Sequence, residues 1–404
     1  MGKGIYRMDK EKKTALANDK VQVAATAALV PPIYPATVYA CESPQQAADL
    51  LAGNTEGFIY SRDGHPNSDM LAEQCKAWHR AEQATITGSG MAALSLALLS
   101  QLQQGDHVLI SHQLYGRTLS LFTTEAARWG IESTEVDTCD LDAVRTAIRD
   151  TTQLVIAETI ANPLLHVADI GGLAEIAHTH AAQLLIDNTF ASPVLCRPLE
   201  WGADLVVESM TKIMNGHSDV ILGCLCGKRS VWDRVPLAAT TWGLFASPHS
   251  CWLSMRGMAT MDLRVRQASS TAQELAERLV GHSAIRELHY PGLADNPHQR
   301  LAQKQFSTPG GQSRFGSMLT FRLAGDMGAV EKFIHALAPE IPFCPSLGDL
   351  KTTLSHPEST SHRELSPSQR KQLGIHSGTI RLSVGIEQAN EIFAHVERGL
   401  EAIC

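Results

Sequence analysis

Between residues 68 and 212 the chain repeats one unit, a helical stretch followed by a short apolar run that stops at a polar residue. Helical spacing covers 68–83, 90–102, a stretch ending near 129, and 172–180. The apolar runs are 84–87, 107–111, 154–158, 184–189 and 205–207. Parallel strands need long crossovers, and helices on both faces demand strands that are apolar on both sides. The pattern predicts an α/β fold, a mostly parallel sheet with helices on both faces. Such a sheet binds ligands beyond the carboxyl ends of its strands. Glu158, Asn162, Asp187, Thr189, Ser209 and Lys212 all fall at those ends.

Lys212 is the most informative of these. It follows the run at 205–207 in Ser209-Met210-Thr211-Lys212. A lysine drawn out of water has a lowered pKa, and only a neutral amine attacks a carbonyl. The hydroxyls of Ser209 and Thr211 beside it can hold a phosphate. An aldehyde with a phosphate handle, pyridoxal 5′-phosphate, satisfies both features. Gly88-Ser89-Gly90-Met91 opens a long helix, and the first N–H groups of a helix can bind a phosphate. Tyr60 and Arg62 lie on a Gly/Pro loop at 57–67, and both side chains donate to phosphate. In isolation each feature has a plain alternative: an exposed lysine, a packing glycine, a surface turn. Convergence on one edge of one sheet favours the cofactor.

The remaining sequence excludes several classes. With 44% hydrophobic and 19% charged residues over 404 positions, the chain can bury a large core and is not disordered. A net charge of −8 without a Lys/Arg block argues against a nucleic-acid or anionic-membrane surface. No apolar run reaches bilayer length, and residues 1–20 lack the apolar centre of a secretory signal. Nine scattered cysteines fit reduced thiols and a cytoplasmic location. Cys224 and Cys226 read as alternate positions on a strand rather than metal ligands, because no second Cys/His pair sits at zinc-site spacing. No metal is expected. The boundaries read as an N-terminal arm at 1–63, a large cofactor-binding domain at 64–262 and a smaller α+β domain at 263–404, with a long polar loop at 341–362.

Ten motifs in order, from Tyr60-Ser-Arg62 to Arg381-Leu-Ser-Val-Gly-Ile-Glu387, then fix a resemblance. Among them are Ser89-Gly-Met-Ala-Ala93, Glu158-Thr-Ile-Ala-Asn-Pro163, Asp187-Asn-Thr-Phe190, Asn215-Gly-His-Ser-Asp219 and His356-Pro-Glu-Ser-Thr-Ser-His362. Over about residues 31–386 the chain resembles the transsulfuration (Cys/Met metabolism) pyridoxal phosphate enzymes, which include cystathionine γ-synthase, cystathionine γ-lyase, methionine γ-lyase and O-acylhomoserine sulfhydrylases. The resemblance implies fold type I and assigns roles by position. Lys212 is the Schiff-base lysine and proton shuttle. Asp187 partners the pyridine nitrogen, and Tyr115 stacks on the ring and helps deprotonate the incoming amine. Gly90, Met91, Ser209 and Thr211 form the phosphate cup, with Glu158 and Thr189 also on the cofactor side. Tyr60 and Arg62 serve the neighbouring subunit's phosphate, which implies a homotetramer of active dimers. Arg381 grips the substrate carboxylate, assisted by Asn162 and Ser346.

Departures cluster at the far end of the substrate. His65-Pro66-Asn67 replaces the usual Asn-Pro-Thr, and Arg117 stands where the family has a small residue. Ile59 and Pro345 precede the Tyr60 and Ser346 positions, where cystathionine γ-lyases tend to be acidic. Pointing inward, Arg117 would favour substrates with an anionic end. The expected activity is γ-elimination or γ-replacement on a sulfur-containing or O-acylated amino acid. Cystathionine γ-lyase or γ-synthase chemistry comes first, then methionine γ-lyase or O-acylhomoserine sulfhydrylase. A catalytically silent protein that binds the cofactor for regulation is the rival from another class.

Overall fold

The structure, a computed structural model, describes residues 21–23, 26–306 and 314–404. The reading of residues 1–20 lies outside these. A short hairpin of β1 (Val21–Val23) and β2 (Thr26–Ala28) and helix α1 (Pro44–Leu51) come first. A seven-stranded sheet follows: β3 (Gln83–Thr87), β4 (His107–Ser111), β5 (Glu132–Val136), β6 (Thr152–Glu158), β7 (Gln183–Asp187), β8 (Leu205–Glu208) and β9 (Gly223–Gly227), in the order β3-β9-β8-β7-β6-β4-β5. Neighbours from β8 to β5 pair in parallel, and β9 runs antiparallel to both β3 and β8. A second, antiparallel sheet contains β10 (Ile285–His289), β11 (Met318–Leu323), β12 (Thr353–Ser355) and β13 (Thr379–Ser383), ordered β10-β11-β13-β12.

The apolar runs become strands because alternate residues feed two cores. Val155, Leu184, Ile186 and Val206 pack on the side of helix α2 (Pro66–His79). Leu154, Ile156, Leu185 and Val207 pack with helix α3 (Gly90–Gln101). Each fully buried aliphatic side chain of this kind contributes roughly 1.5–3 kcal/mol. Strand β5 escaped the sequence reading because Glu-Ser-Thr-Glu-Val sits at the sheet edge with only Val136 buried. Helix α4 (Gly116–Ser120) continues through a π turn, Leu121–Glu125, and a 3₁₀ turn, Ala126–Trp129.

The atypical His65-Pro66-Asn67 is an anchor. His65 Nδ1 caps α2 by accepting from Ser68 N at 3.1 Å, and its Nε2 meets the Ala246 carbonyl at 2.9 Å. Asn67 Oδ1 accepts from Tyr34 N, and Nδ2 donates to Pro32 O, both at 2.8 Å. The Pro-rich arm is thereby tied to the start of α2. No helix among the described residues is long and apolar enough to cross a membrane.

Candidate active site

Strand register sets the site's electrostatics. Glu158 pairs across β6 and β7 with Asp187, which in turn faces Val207 on β8. Two carboxyls therefore lie side by side at the carboxyl edge of the sheet. Burial, then the charge of Asp187, pushes the Glu158 carboxyl up to about 8. Hydrogen bonds oppose that shift: Tyr115 N donates to Glu158 Oε1 at 2.7 Å and Asn162 N to Oε2 at 3.2 Å. Glu158 thus holds two separate loops, one carrying Tyr115 and one carrying Asn162. Burial also raises Asp187, whose hydrogen bonds among the described residues come from Thr189, with the Thr189 N–H at 3.0 Å.

Beyond β8 the chain turns through Ser209. Thr189 Oγ1 accepts from Ser209 N at 2.8 Å, coupling the ends of β7 and β8. A Cβ on Gly90 would lie 2.8 Å from the Ser209 Cβ, so only glycine lets the start of α3 approach this turn. The Thr211 hydroxyl is engaged with Leu222, donating to its carbonyl at 3.2 Å and accepting from its N–H at 3.1 Å. Lys212 Nζ donates to Ser346 Oγ at 2.8 Å. Burial, then the positive charge of Arg381, holds its ammonium below the usual lysine range.

Arg381, on β13, reaches the same place from the second sheet. Nη1 donates to Asn162 Oδ1 at 2.6 Å and Nη2 to the Ser346 carbonyl at 3.3 Å. Nε is buried without a hydrogen-bond partner among the described residues. Burial lowers this guanidinium to about 10, with Glu158 acting the other way, and it stays charged at neutral pH. The loop before β12 is pinned against the lysine turn: a Cβ on Gly348, whose φ is +79°, would sit 2.6 Å from Ile213 N.

A model of Cys/Met metabolism PLP-dependent enzymes matches residues 13–401. The chain belongs to that family. Relatives include an L-methionine γ-lyase of Pseudomonas putida, 37% identical over 93% of each chain. An O-succinylhomoserine sulfhydrylase of Pseudomonas aeruginosa is 36% identical over 92% of this chain and 90% of its own. The solved cystathionine γ-synthase of Xanthomonas oryzae superposes with a TM-score of 0.89 at 32% identity, covering 96% of this chain and 97% of that one. The family's cofactor is pyridoxal 5′-phosphate, and its members are lyases and transferases of sulfur amino acid metabolism.

The residues fit that cofactor. The Gly90–Ser209 approach leaves helix-start N–H groups and a hydroxyl for a phosphate, and Asp187 is a partly buried carboxyl with no described basic partner. Tyr115 stays 40% exposed at the N-cap of α4. Tyr60 and Arg62 are exposed on their loop, Arg62 lying 5.0 Å over the Tyr60 ring and 3.5 Å from Asp63. Arg117 does not turn inward. Its guanidinium pairs with Glu364 at 2.8 Å, and both side chains are about half exposed.

Two neighbours of the site were not singled out from sequence. Arg264 donates Nη1 to Ile213 O at 2.9 Å and Nη2 to Met214 O at 3.0 Å, bracing the turn after Lys212. Its signal was an arginine on the buried face of the helix Met261–Leu279. His362, inside a motif already noted, is buried beside Arg381. Burial first, then that charge, lowers it to about 4.

Proposed function

We propose that the protein catalyses pyridoxal phosphate-dependent γ-elimination or γ-replacement on a thioether or O-acylated amino acid. Ser346 carries this reading: its hydroxyl accepts from Lys212 Nζ and its carbonyl from Arg381 Nη2. An amine and a guanidinium joined through one residue suit the proton chemistry and the carboxylate of a single α-amino acid. When bound, the cofactor supplies the electron sink that makes Cα and Cβ protons removable. A protonated nitrogen set against Asp187 would draw that carboxyl back to its ionised form. Arg381 and Asn162 hold the substrate carboxylate. Tyr115, exposed beside them, takes a proton from the incoming amine. Lys212 Nζ, drawn toward its neutral form by burial, shuttles first the Cα and then the Cβ proton so that the γ-substituent can leave, and returns protons to carbon afterwards. Release and hydrolysis by one water then give a 2-oxo acid and ammonia, whereas capture by a thiol gives a replacement product.

The pairing of Arg117 with Glu364 removes the charge that would select an anionic γ-substituent. Apolar Ile59 and Pro345 agree, so a neutral thioether of the methionine type ranks ahead of cystathionine. O-Acylhomoserine replacement is the second reading, favoured by the sulfhydrylase relative. The exposed Tyr60 and Arg62 support completion of the site by a neighbouring subunit in a homotetramer, and nine unpaired cysteines support a cytoplasmic location. The test is a product assay of the holoenzyme with methionine, cystathionine and O-acylhomoserines, each with and without a thiol. Turnover of none of them would remove the proposal.

A further inference from the structure

On the α2 face of the sheet, where β9 places Cys224 opposite Glu208 just before the turn to Lys212, lie four metal-ligating side chains that the function does not use. Cys75 and His79 are four apart on α2 and so share one helical face. Cys224 and Cys226 are two apart on β9 and so share one face of the sheet. All four are fully buried. One His79 nitrogen and the Cys224 and Cys226 sulfurs lie within 4.8 Å of one another. The two sulfurs are 4.0 Å apart. That is far beyond a disulfide bond, and two sulfurs bound tetrahedrally to zinc at about 2.3 Å each would stand roughly 3.8 Å apart. Cys75 neighbours Cys224 from the α2 side and lies outside that 4.8 Å trio. Among the described residues neither ring nitrogen of His79 meets a partner in hydrogen-bond geometry; its neighbours are the Cys224 thiol and Glu208 Oε1, 3.7 Å from Nε2. A fully buried imidazole in this position beside the Cys224 and Cys226 thiols is a donor arrangement that a metal ion would satisfy.

We propose that His79, Cys224 and Cys226, joined by Cys75 as the metal binds, form a closed tetrahedral zinc site that pins α2 to β9. Three sulfurs and one imidazole are a donor set of structural zinc, with no position left for water. Binding releases the thiol protons to solvent and changes no oxidation state. Glu208 stands beside the imidazole as the carboxylate that orients it, and is itself held by Asn188 Nδ2 at 2.9 Å. Because Glu208 precedes Ser209, the pin would also steady the turn that leads to Lys212. The sequence hid this site because its two halves are about 150 residues apart.

The test uses tag-free holoenzyme from zinc-supplemented cells. Elemental analysis should find one more zinc per chain in the wild type than in Cys224→Ser/Cys226→Ser, while Cys404→Ser matches the wild type. Cofactor absorbance and circular dichroism report whether the double variant folds. X-ray absorption at the zinc edge needs no variant: the wild type should show at least two sulfur ligands at about 2.3 Å. The half-exposed group of Cys139, His166 and His298 can offer only one sulfur, so the same spectrum separates the two clusters. Wild type without zinc, zinc with at most one sulfur, or a folded double variant with undiminished zinc each overturns the site.

Discussion

Lys212 and Ser346 meet across the two sheets, the lysine Nζ donating to the serine Oγ at 2.8 Å. The Ser346 carbonyl, not its hydroxyl, serves Arg381. Ser346→Ala therefore removes the amine's partner and leaves the guanidinium's. A net hydrogen bond is worth roughly 0.5–1.5 kcal/mol, so kcat should fall about two- to tenfold with KM near the wild-type value. A rise in KM with kcat unchanged would mean that the hydroxyl binds substrate rather than tuning the lysine.

The lysine can be located directly. Borohydride reduction of the holoenzyme should fix the cofactor to the peptide holding Lys212, and Lys212→Ala should abolish turnover. The same variant reports on subunit sharing. In a hybrid dimer of Lys212→Ala with Arg62→Ala, one site would carry both lesions and the other neither. Recovery of near half the wild-type activity is expected. A verified hybrid with no gain over Arg62→Ala alone places Arg62 in its own subunit's site.

Arg381→Lys keeps the charge and loses the fork that spans Asn162 and the Ser346 carbonyl. Charged hydrogen bonds contribute roughly 1.5–3 kcal/mol, so kcat/KM should fall about ten- to a hundredfold, mostly through KM. An effect confined to kcat would separate Arg381 from the substrate carboxylate.

Glu158 makes the protein's stability depend on pH. Its folded-state carboxyl, at about 8, lies above the ordinary 4.5, so the folded protein holds this proton more tightly than the unfolded chain. That contribution is fully present below about 4.5 and is lost as pH rises through about 8. Glu158→Gln has no such proton to lose. In cofactor-free protein its Tm, relative to wild type, should climb by a few degrees between about pH 5 and about pH 9. A constant difference across that range would show that Glu158 is ionised throughout.

The strand ends were legible because apolar runs closed by Glu158, Asp187 and Ser209 have few other ways to fold. Lys212 was legible for the same reason. Arg264 was not: a buried arginine in a helix pattern looks like a surface charge until its carbonyl partners, about 50 residues upstream, are seen. Strand β5 was hidden by its edge position, which needs no apolar run. Direction was the hardest property to read. Arg117 has the right place and charge to meet a substrate, and only packing decides where it points.

That direction gives the last prediction. Arg117 opens α4, and the loop before residue 365 folds over it, with the Ser361 carbonyl 3.2 Å from where a Cβ on Gly116 would lie. This brings Glu364 to the guanidinium at 2.8 Å. With both side chains about half exposed, the pair is worth no more than about 1 kcal/mol. Arg117→Ala should therefore change kcat/KM by less than about fivefold, equally for methionine and for an O-succinylated substrate. Glu364→Ala is the sharper variant because it frees the arginine. A released cation beside the site would then favour the anionic substrate over methionine, raising that ratio by up to about tenfold. If Arg117→Ala alone depresses the anionic substrate by more than tenfold, the arginine abandons Glu364 during turnover and does read the substrate's far end.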